Sequence, residues 1–196
     1  MQRQRVWDLP IRLFHWLLVA SIAFAYVSGQ LGGNLIDWHA RAGFLIVGLV
    51  VFRLVWGVVG TPTARFATFV RGPAAIAAYL RGEWRGIGHN PLGALSVLGL
   101  LALVGAQAAT GLFTNDDIAF QGPFADWVGK ELSDRFHGWH ALLQNGLLAL
   151  IGVHVAAIVF YARVKKENLV KPMITGWTEA PATTTPASRR GGGVVA

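Results

Sequence analysis

The sequence predicts an all-α membrane protein of four spanning helices, with both chain termini on the cytoplasmic side. Three observations support this class. Hydrophobic residues make up 54% of the 196-residue chain and charged residues only 14%, whereas a soluble globular domain carries about 25% charged residues. Four stretches are apolar over the roughly 20 residues that a bilayer-spanning helix needs. Lys and Arg are distributed unequally among the segments that connect these stretches.

The four predicted spans cover residues 10–28, 38–59, 91–113 and 137–162. Pro10 lies in the first turn of the first span, where its missing N–H removes no helical hydrogen bond. Residues 73–81, between spans two and three, predict a short helix on the membrane surface. Residues 1–174 are therefore expected to form one transmembrane domain. Residues 175–196, rich in Thr, Pro, Gly and Ala, are expected to be a disordered cytoplasmic tail.

The basic residues predict how the spans are oriented. With four spans both termini lie on one side, and that side carries 14 of the 17 Lys and Arg residues. Since basic residues concentrate in cytoplasmic loops, this side is predicted to be cytoplasmic. The 14 residues are Arg3, Arg5, Arg12, Arg53, Arg65, Arg71, Arg81, Arg85, Arg163, Lys165, Lys166, Lys171, Arg189 and Arg190. The opposite side carries only Arg41, Lys130 and Arg135.

The predicted periplasmic side is acidic. Six acidic residues lie there, against three basic ones. The acidic residues are Asp37, Asp116, Asp117, Asp126, Glu131 and Asp134. Most of them belong to the loop of residues 114–136, which is long enough to form a docking surface. The charge reversal between the two faces explains the basic pI of about 10.6 without nucleic-acid binding, and it suits a basic protein partner on the outer side.

Four histidines lie within the predicted spans: His15, His39, His140 and His154. An ionisable side chain inside a membrane is costly and therefore indicates function. Because neighbouring spans run in opposite directions, His39 and His140 lie near the periplasmic face. His154 follows His140 by 14 residues, about 21 Å along a helix and on nearly the same helix face. That depth matches His15, so the histidines form two pairs, His39 with His140 and His15 with His154.

Two pairs of histidines at two depths predict two haems b, each held by two axial imidazoles. The chain contains no cysteine, which excludes iron–sulfur clusters, thiolate zinc sites and covalent haem attachment. Metal sites without a porphyrin usually need three or four clustered ligands. His137 competes with His140 as a ligand, but it lies about 100° off the helix face of His154.

Two further features fit a haem and also have simpler explanations. Arg53 and Arg12 are predicted to pair with haem propionates, although Arg53 would equally suit an arginine that extends its charge to the membrane surface. In span three, Gly93, Gly99 and Gly105 are followed by Gly111 at the same six-residue spacing. Glycines let a flat macrocycle approach a helix, and they also let two helices pack closely.

The residues around these histidines resemble the bacterial cytochrome b561 family, whose superfamily includes the b-type cytochrome subunits of nickel–iron hydrogenases. The motifs that carry the resemblance are Phe14-His15-Trp16, Trp38-His39, Trp139-His140 and Gly152-Val153-His154. The resemblance covers roughly residues 6–176. It implies a four-helix bundle with two bis-histidine haems b, ligands at the four span histidines, and exchange of electrons with membrane quinone.

The predicted function is electron transfer between the quinone pool and a periplasmic redox partner, such as a c-type cytochrome, across the bacterial inner membrane. Whether the protein is also an enzyme stays open. One alternative is a superoxide:quinone oxidoreductase, which the acidic outer face disfavours because superoxide is an anion. Another is the membrane anchor of a hydrogenase or dehydrogenase. A metal or proton transporter is a more distant alternative, and it would be colourless.

Overall fold

The computed structural model describes residues 2–83, 89–118 and 120–180. Within this part of the chain four helices are long and apolar enough to cross a membrane: Leu9–Leu31, Gly33–Val59, Pro91–Phe113 and Lys130–Lys165. The prediction of four apolar helices of membrane-spanning length is therefore confirmed. Arg85, Arg189, Arg190 and residues 181–196 of the predicted tail lie outside the described residues.

The spanning helices are α1 (Leu9–Leu31), α2 (Ile36–Val59), α5 (Pro91–Phe113) and α7 (Lys130–Phe160). Short helices connect or follow them: a 3₁₀ turn (Gly33–Leu35), α3 (Phe66–Phe69), α4 (Pro73–Leu80), α6 (Ala125–Val128), a π turn (Tyr161–Lys165) and α8 (Val170–Thr175). Helix α4 confirms the helix predicted at residues 73–81. Strands β1 (Gln2–Arg5) and β2 (Trp177–Ala180) pair antiparallel.

Helix α7 begins before the predicted start of the fourth span at residue 137. Its first turns are charged and exposed, with ion pairs between Lys130 and Asp134 at 3.2 Å and between Arg135 and Glu131 at 2.8 Å. Such pairs four residues apart stabilise a helix in water. The helix therefore starts outside the membrane, where an apolar pattern gives no signal.

Residues 175–180, at the start of the expected tail, end helix α8 and form strand β2. The Gly176 carbonyl accepts hydrogen bonds from the N–H groups of Val6 and Trp7, at 2.9 and 3.2 Å. Gly176 has a φ of 85°, a conformation that glycine adopts without strain. Strand β2 then pairs with β1, so the ends of the transmembrane domain are fastened to each other.

The described residues form two compact units. One contains residues 14–52 and 99–154, and in it segments of α1, α2, α5 and α7 pack around Ala25, Ala42, Ile46, Val104 and Leu147. The other contains the described residues of 1–13, 53–98 and 155–196, with a core of Val6, Trp7, Ile11 and Ala64. Large apolar side chains remain exposed along the helices, as a lipid environment permits.

Candidate functional site

His39 of α2 and His140 of α7 lie close together within the first unit, with one ring edge-on to the other. Their ring centroids are 6.0 Å apart and their planes meet at 82°. Imidazole nitrogens ligate a metal at about 2 Å, so two rings on opposite sides of one metal ion have centroids roughly 6 Å apart. Both side chains are half-buried. The pair therefore has the separation of two axial ligands.

The His39 ring is seated on helix α1. Its Nδ1 donates to the Ala25 carbonyl at 2.7 Å. One helical turn further along α1 is Gly29, where a Cβ would lie only 2.8 Å from Nδ1 of His39. Glycine is thus required for this approach. Because the carbonyl can only accept, the ring proton is on Nδ1 and the lone pair of Nε2 is available to a metal.

The His140 ring is seated on helix α5 in the same way. Its Nδ1 lies 2.9 Å from the Gln107 carbonyl and 3.2 Å from Oγ1 of Thr110. A Cβ at Gly111, four residues after Gln107, would lie 3.0 Å from Cε1 of His140. The two imidazoles are therefore held alike, each between a helix carbonyl and a glycine four residues later in the sequence.

A largely apolar cleft adjoins both rings. It is lined by Ile22, Ala25, Tyr26, His39, Gly43, Ile46, Val104, Gln107, Ala108, His140, Gln144, Leu147 and Leu148. Within the described residues no three His, Cys, Asp or Glu side chains cluster closely enough to hold a bare metal ion. Two opposed imidazoles with an apolar surround fit a porphyrin, which supplies the remaining four iron ligands itself.

His15 of α1 and His154 of α7 lie within the range of each other's charge. Both side chains are half-buried, and the His15 ring meets Trp16 edge-on at 4.9 Å. Nδ1 of His15 is buried and has no hydrogen-bond partner among the described residues. His15 is therefore held differently from His39 and His140, whose Nδ1 atoms each face a carbonyl.

His137, the competing residue on α7, is exposed. Its Nδ1 lies 3.1 Å from Oγ1 of Thr114, and it does not line the cleft. Gln107 lines the cleft, and its buried Oε1 has no partner in the described part of the chain. Gln144 accepts from Gln30 at 3.4 Å, whereas Asn145 is exposed.

Arg53 of α2 belongs to the second unit and is almost fully buried, with 4% of its surface exposed. Its guanidinium lies over the ring of Phe66 at 4.5 Å and near Phe69 at 5.9 Å. Its buried Nη1 has no hydrogen-bond partner among the described residues. An arginine that extends to the membrane surface would keep its charge in water, which does not describe the buried Arg53.

Asp8 is the carboxylate whose charge acts on Arg53, and it already accepts hydrogen bonds from other groups. Asp8 caps α1 by accepting from the Ile11 N–H at 2.8 Å, and it also accepts from Nε1 of Trp56 at 3.0 Å and Oγ1 of Thr61 at 2.6 Å. Asp8 was not identified from the sequence. An aspartate shortly before a proline in a first turn is the signal of such a cap.

Arg12 has a structural contact that Arg53 lacks. Its Nη1 donates to the Ile174 carbonyl at 2.8 Å and lies beside Gly176, so it fastens the C-terminal segment to α1. His89 is packed between Trp7 and Phe69 at ring distances of 4.5 and 4.7 Å. Burial, together with the charge of Arg53, lowers the pKa of His89 to about 4.

A family model described as prokaryotic cytochrome b561 matches residues 6–176. The chain is 27% identical to a probable Ni/Fe-hydrogenase B-type cytochrome subunit of Azotobacter chroococcum mcd 1, over 88% of this chain and 87% of the relative. It is 23% identical to the probable Ni/Fe-hydrogenase 1 B-type cytochrome subunit of Escherichia coli strain K12, over 88% and 89%. No solved structure matches.

Proposed function

The chain belongs to the prokaryotic cytochrome b561 family, and on that premise we propose that it holds two haems b and moves electrons between membrane quinone and a redox protein at the acidic face. A membrane b-type cytochrome transfers electrons. The neighbouring imidazoles of His39 and His140, 6.0 Å apart with Nδ1 of each directed at a carbonyl, are the observation that carries the proposal.

In this proposal His39 and His140 ligate one haem through Nε2, and His15 and His154 ligate the other. When bound, haem iron supplies reversible one-electron chemistry, with its potential tuned by ligand hydrogen bonds and burial. Filling both axial positions with imidazole leaves no open site for oxygen. Arg53 binds a haem propionate, because its buried Nη1 needs an acceptor. Arg12 remains a second candidate for such contact.

The redox partner is proposed to dock on the loop of residues 114–136. Lys130 contacts Asp117 and Asp134, and Arg135 contacts Glu131, so the basic residues are paired within an acidic surface. Two large apolar side chains project beside these acids: Ile118 is 93% exposed and Trp127 is 77% exposed. An exposed tryptophan ringed by charges is typical of an interface anchor. This surface suits a basic protein better than anionic superoxide.

The identity of the partner has two candidates. The named relatives are probable subunits of Ni/Fe-hydrogenases, which favours a membrane-anchored redox enzyme of that kind. A soluble c-type cytochrome is the other candidate and would use the same surface. Co-purification under mild detergent distinguishes them, because an anchored enzyme stays bound through purification and a soluble carrier does not.

The proposed function is tested by reacting the dithionite-reduced protein, in lipid nanodiscs under anaerobic conditions, with a short-chain quinone in a stopped-flow spectrometer. We expect the quinone to oxidise both haems, which is measured as the loss of their reduced absorption bands. His137→Ala, which alters an exposed histidine outside the cleft, serves as the matched control and should react as the wild type does. A haem-containing wild type that quinone does not oxidise would contradict the quinone part of the proposal. A purified protein without haem would contradict all of it.

A further inference from the structure

The two segments that seat the histidines share a sequence pattern. In α1 the pattern is Ala25-Tyr-Val-Ser28-Gly29, and in α5 it is Gln107-Ala-Ala-Thr110-Gly111. In each, the first residue provides the carbonyl for an imidazole Nδ1 and the last provides the space beside the ring. A hydroxyl residue precedes the glycine in both. These two hydroxyls are the part of the shared pattern that has no assigned role.

The two hydroxyls differ in one contact. Both are buried, Ser28 to 2% exposure and Thr110 to 7%, and both are directed at carbonyls of their own helix. Oγ of Ser28 lies 2.7 Å from the Phe24 carbonyl oxygen and 3.2 Å from the Ala25 carbonyl oxygen. Thr110 lies 3.0 and 2.9 Å from the Ala106 and Gln107 carbonyls, and its Oγ1 is also 3.2 Å from Nδ1 of His140.

We propose that Thr110 is a positioning residue whose hydroxyl acts as a second acceptor for the Nδ1–H of His140 and so fixes the ring plane and the basicity of that ligand. The proton of the hydroxyl is used by the helix carbonyls, which leaves an oxygen lone pair facing the imidazole. This inference rests on the proposed ligand role of His140. It extends that role to a residue that never touches the metal.

The direction of the effect follows from ligand chemistry. A hydrogen bond accepted from Nδ1–H makes an imidazole a more basic ligand, and a more basic ligand stabilises ferric over ferrous iron. Loss of the Thr110 acceptor should therefore raise the reduction potential at the His39–His140 site. Ser28 makes no such contact with His39, so removal of its hydroxyl should change the potential much less.

The test is a potentiometric titration of the haem-loaded protein with Thr110→Val, Thr110→Ser and Ser28→Ala. Valine keeps the shape of threonine without its hydroxyl, and serine keeps the hydroxyl. We expect Thr110→Val to raise the reduction potential of one haem. The one-electron equilibrium constant should change several-fold, and a tenfold change corresponds to about 59 mV. Thr110→Ser and Ser28→Ala should remain close to the wild type. Thr114→Val, which removes the hydroxyl beside His137, is a further control without effect.

Three results would overturn the inference in a protein whose wild type contains haem and reacts with quinone. The reduction potential in Thr110→Val could be unchanged or lowered. It could shift equally in Thr110→Ser, or the potentials of both haems could shift equally. If Thr110→Val loses a haem that Thr110→Ser retains, the hydroxyl is shown to position the ligand. A wild type without haem would instead contradict the proposed function itself.

Discussion

The two histidine pairs of this protein are built differently. Nδ1 of His39 and of His140 each face a helix carbonyl, and a glycine gives each ring its place. Nδ1 of His15 is buried with no partner in the described part of the chain. The first pair therefore has its tautomer and ring planes set by the protein alone, whereas the orientation of His15 depends on what binds there.

This difference bears on the direction of electron flow. Imidazoles that donate to carbonyls are more basic ligands and lower the reduction potential of the iron they bind. Because Nδ1 of His15 has no acceptor in the described part of the chain, we expect the haem proposed at His39 and His140 to have the lower reduction potential of the two. On the proposed function, electrons would then pass from the first haem to the second.

The largest expected effect comes from the ligands themselves. His39→Ala and His140→Ala should each abolish binding of the same haem. His15→Ala and His154→Ala should each abolish binding of the other. In every variant the iron would keep only one of its two imidazole ligands. Haem content by pyridine haemochrome and the low-temperature α-band of the reduced protein measure this. His137→Ala should keep both haems, and its loss of a haem that His140→Ala retains would reverse the assignment on α7.

The next effect concerns the glycines. Gly29→Ala would place a Cβ 2.8 Å from Nδ1 of His39, and Gly111→Ala would place one 3.0 Å from Cε1 of His140, so each ring must move. We expect both variants to lose most of the haem at the His39–His140 site. Gly105→Ala is the matched control on α5, since its Cβ meets Val50 at an ordinary 3.8 Å. Equal haem content in all three variants would show that the glycines serve only helix packing.

A smaller effect is expected from the buried arginine. Arg53→Gln should weaken retention of one haem by roughly tenfold, the loss of a charge-assisted hydrogen bond of about 1.5 kcal/mol. Haem transfer to apomyoglobin measures that retention. Arg12→Gln should leave it unchanged and lower the thermal unfolding midpoint, because Arg12 fastens the C-terminal segment at the Ile174 carbonyl. If Arg12→Gln loses haem and Arg53→Gln does not, the two roles are exchanged.

The smallest effect belongs to the acidic loop. The double variant Asp126→Asn, Glu131→Gln should slow the bimolecular reaction with a basic electron carrier about threefold at low salt, because opposite charges act mainly on association. Stopped-flow rates across a salt series check this, and the difference from the wild type should vanish at high salt. Asp116 is left unchanged because its Oδ1 accepts from two N–H groups of its own loop. A rate indifferent to charge and salt would remove the loop from docking.

The sequence predicted the features that have a strong local signal. The four apolar runs correspond to the four long helices, whereas the pairing of His15 with His154 at one haem stays a prediction. The start of α7 at Lys130 and the pairing of β1 with β2 were missed, because charged helix turns and short terminal strands have no apolar periodicity. The carbonyl of Ala25 and Gly29 were missed because a helix backbone acceptor is not encoded by a side chain.

The difference between the two pairs is tested most directly by a potentiometric titration of the wild type followed by electron paramagnetic resonance of the ferric haems. We expect two one-electron transitions. The one at lower potential should disappear in His140→Ala, and its signal should have the large maximal g value typical of nearly perpendicular imidazole planes, as the 82° between His39 and His140 requires. A single transition, or a higher potential for the haem lost in His140→Ala, would contradict it.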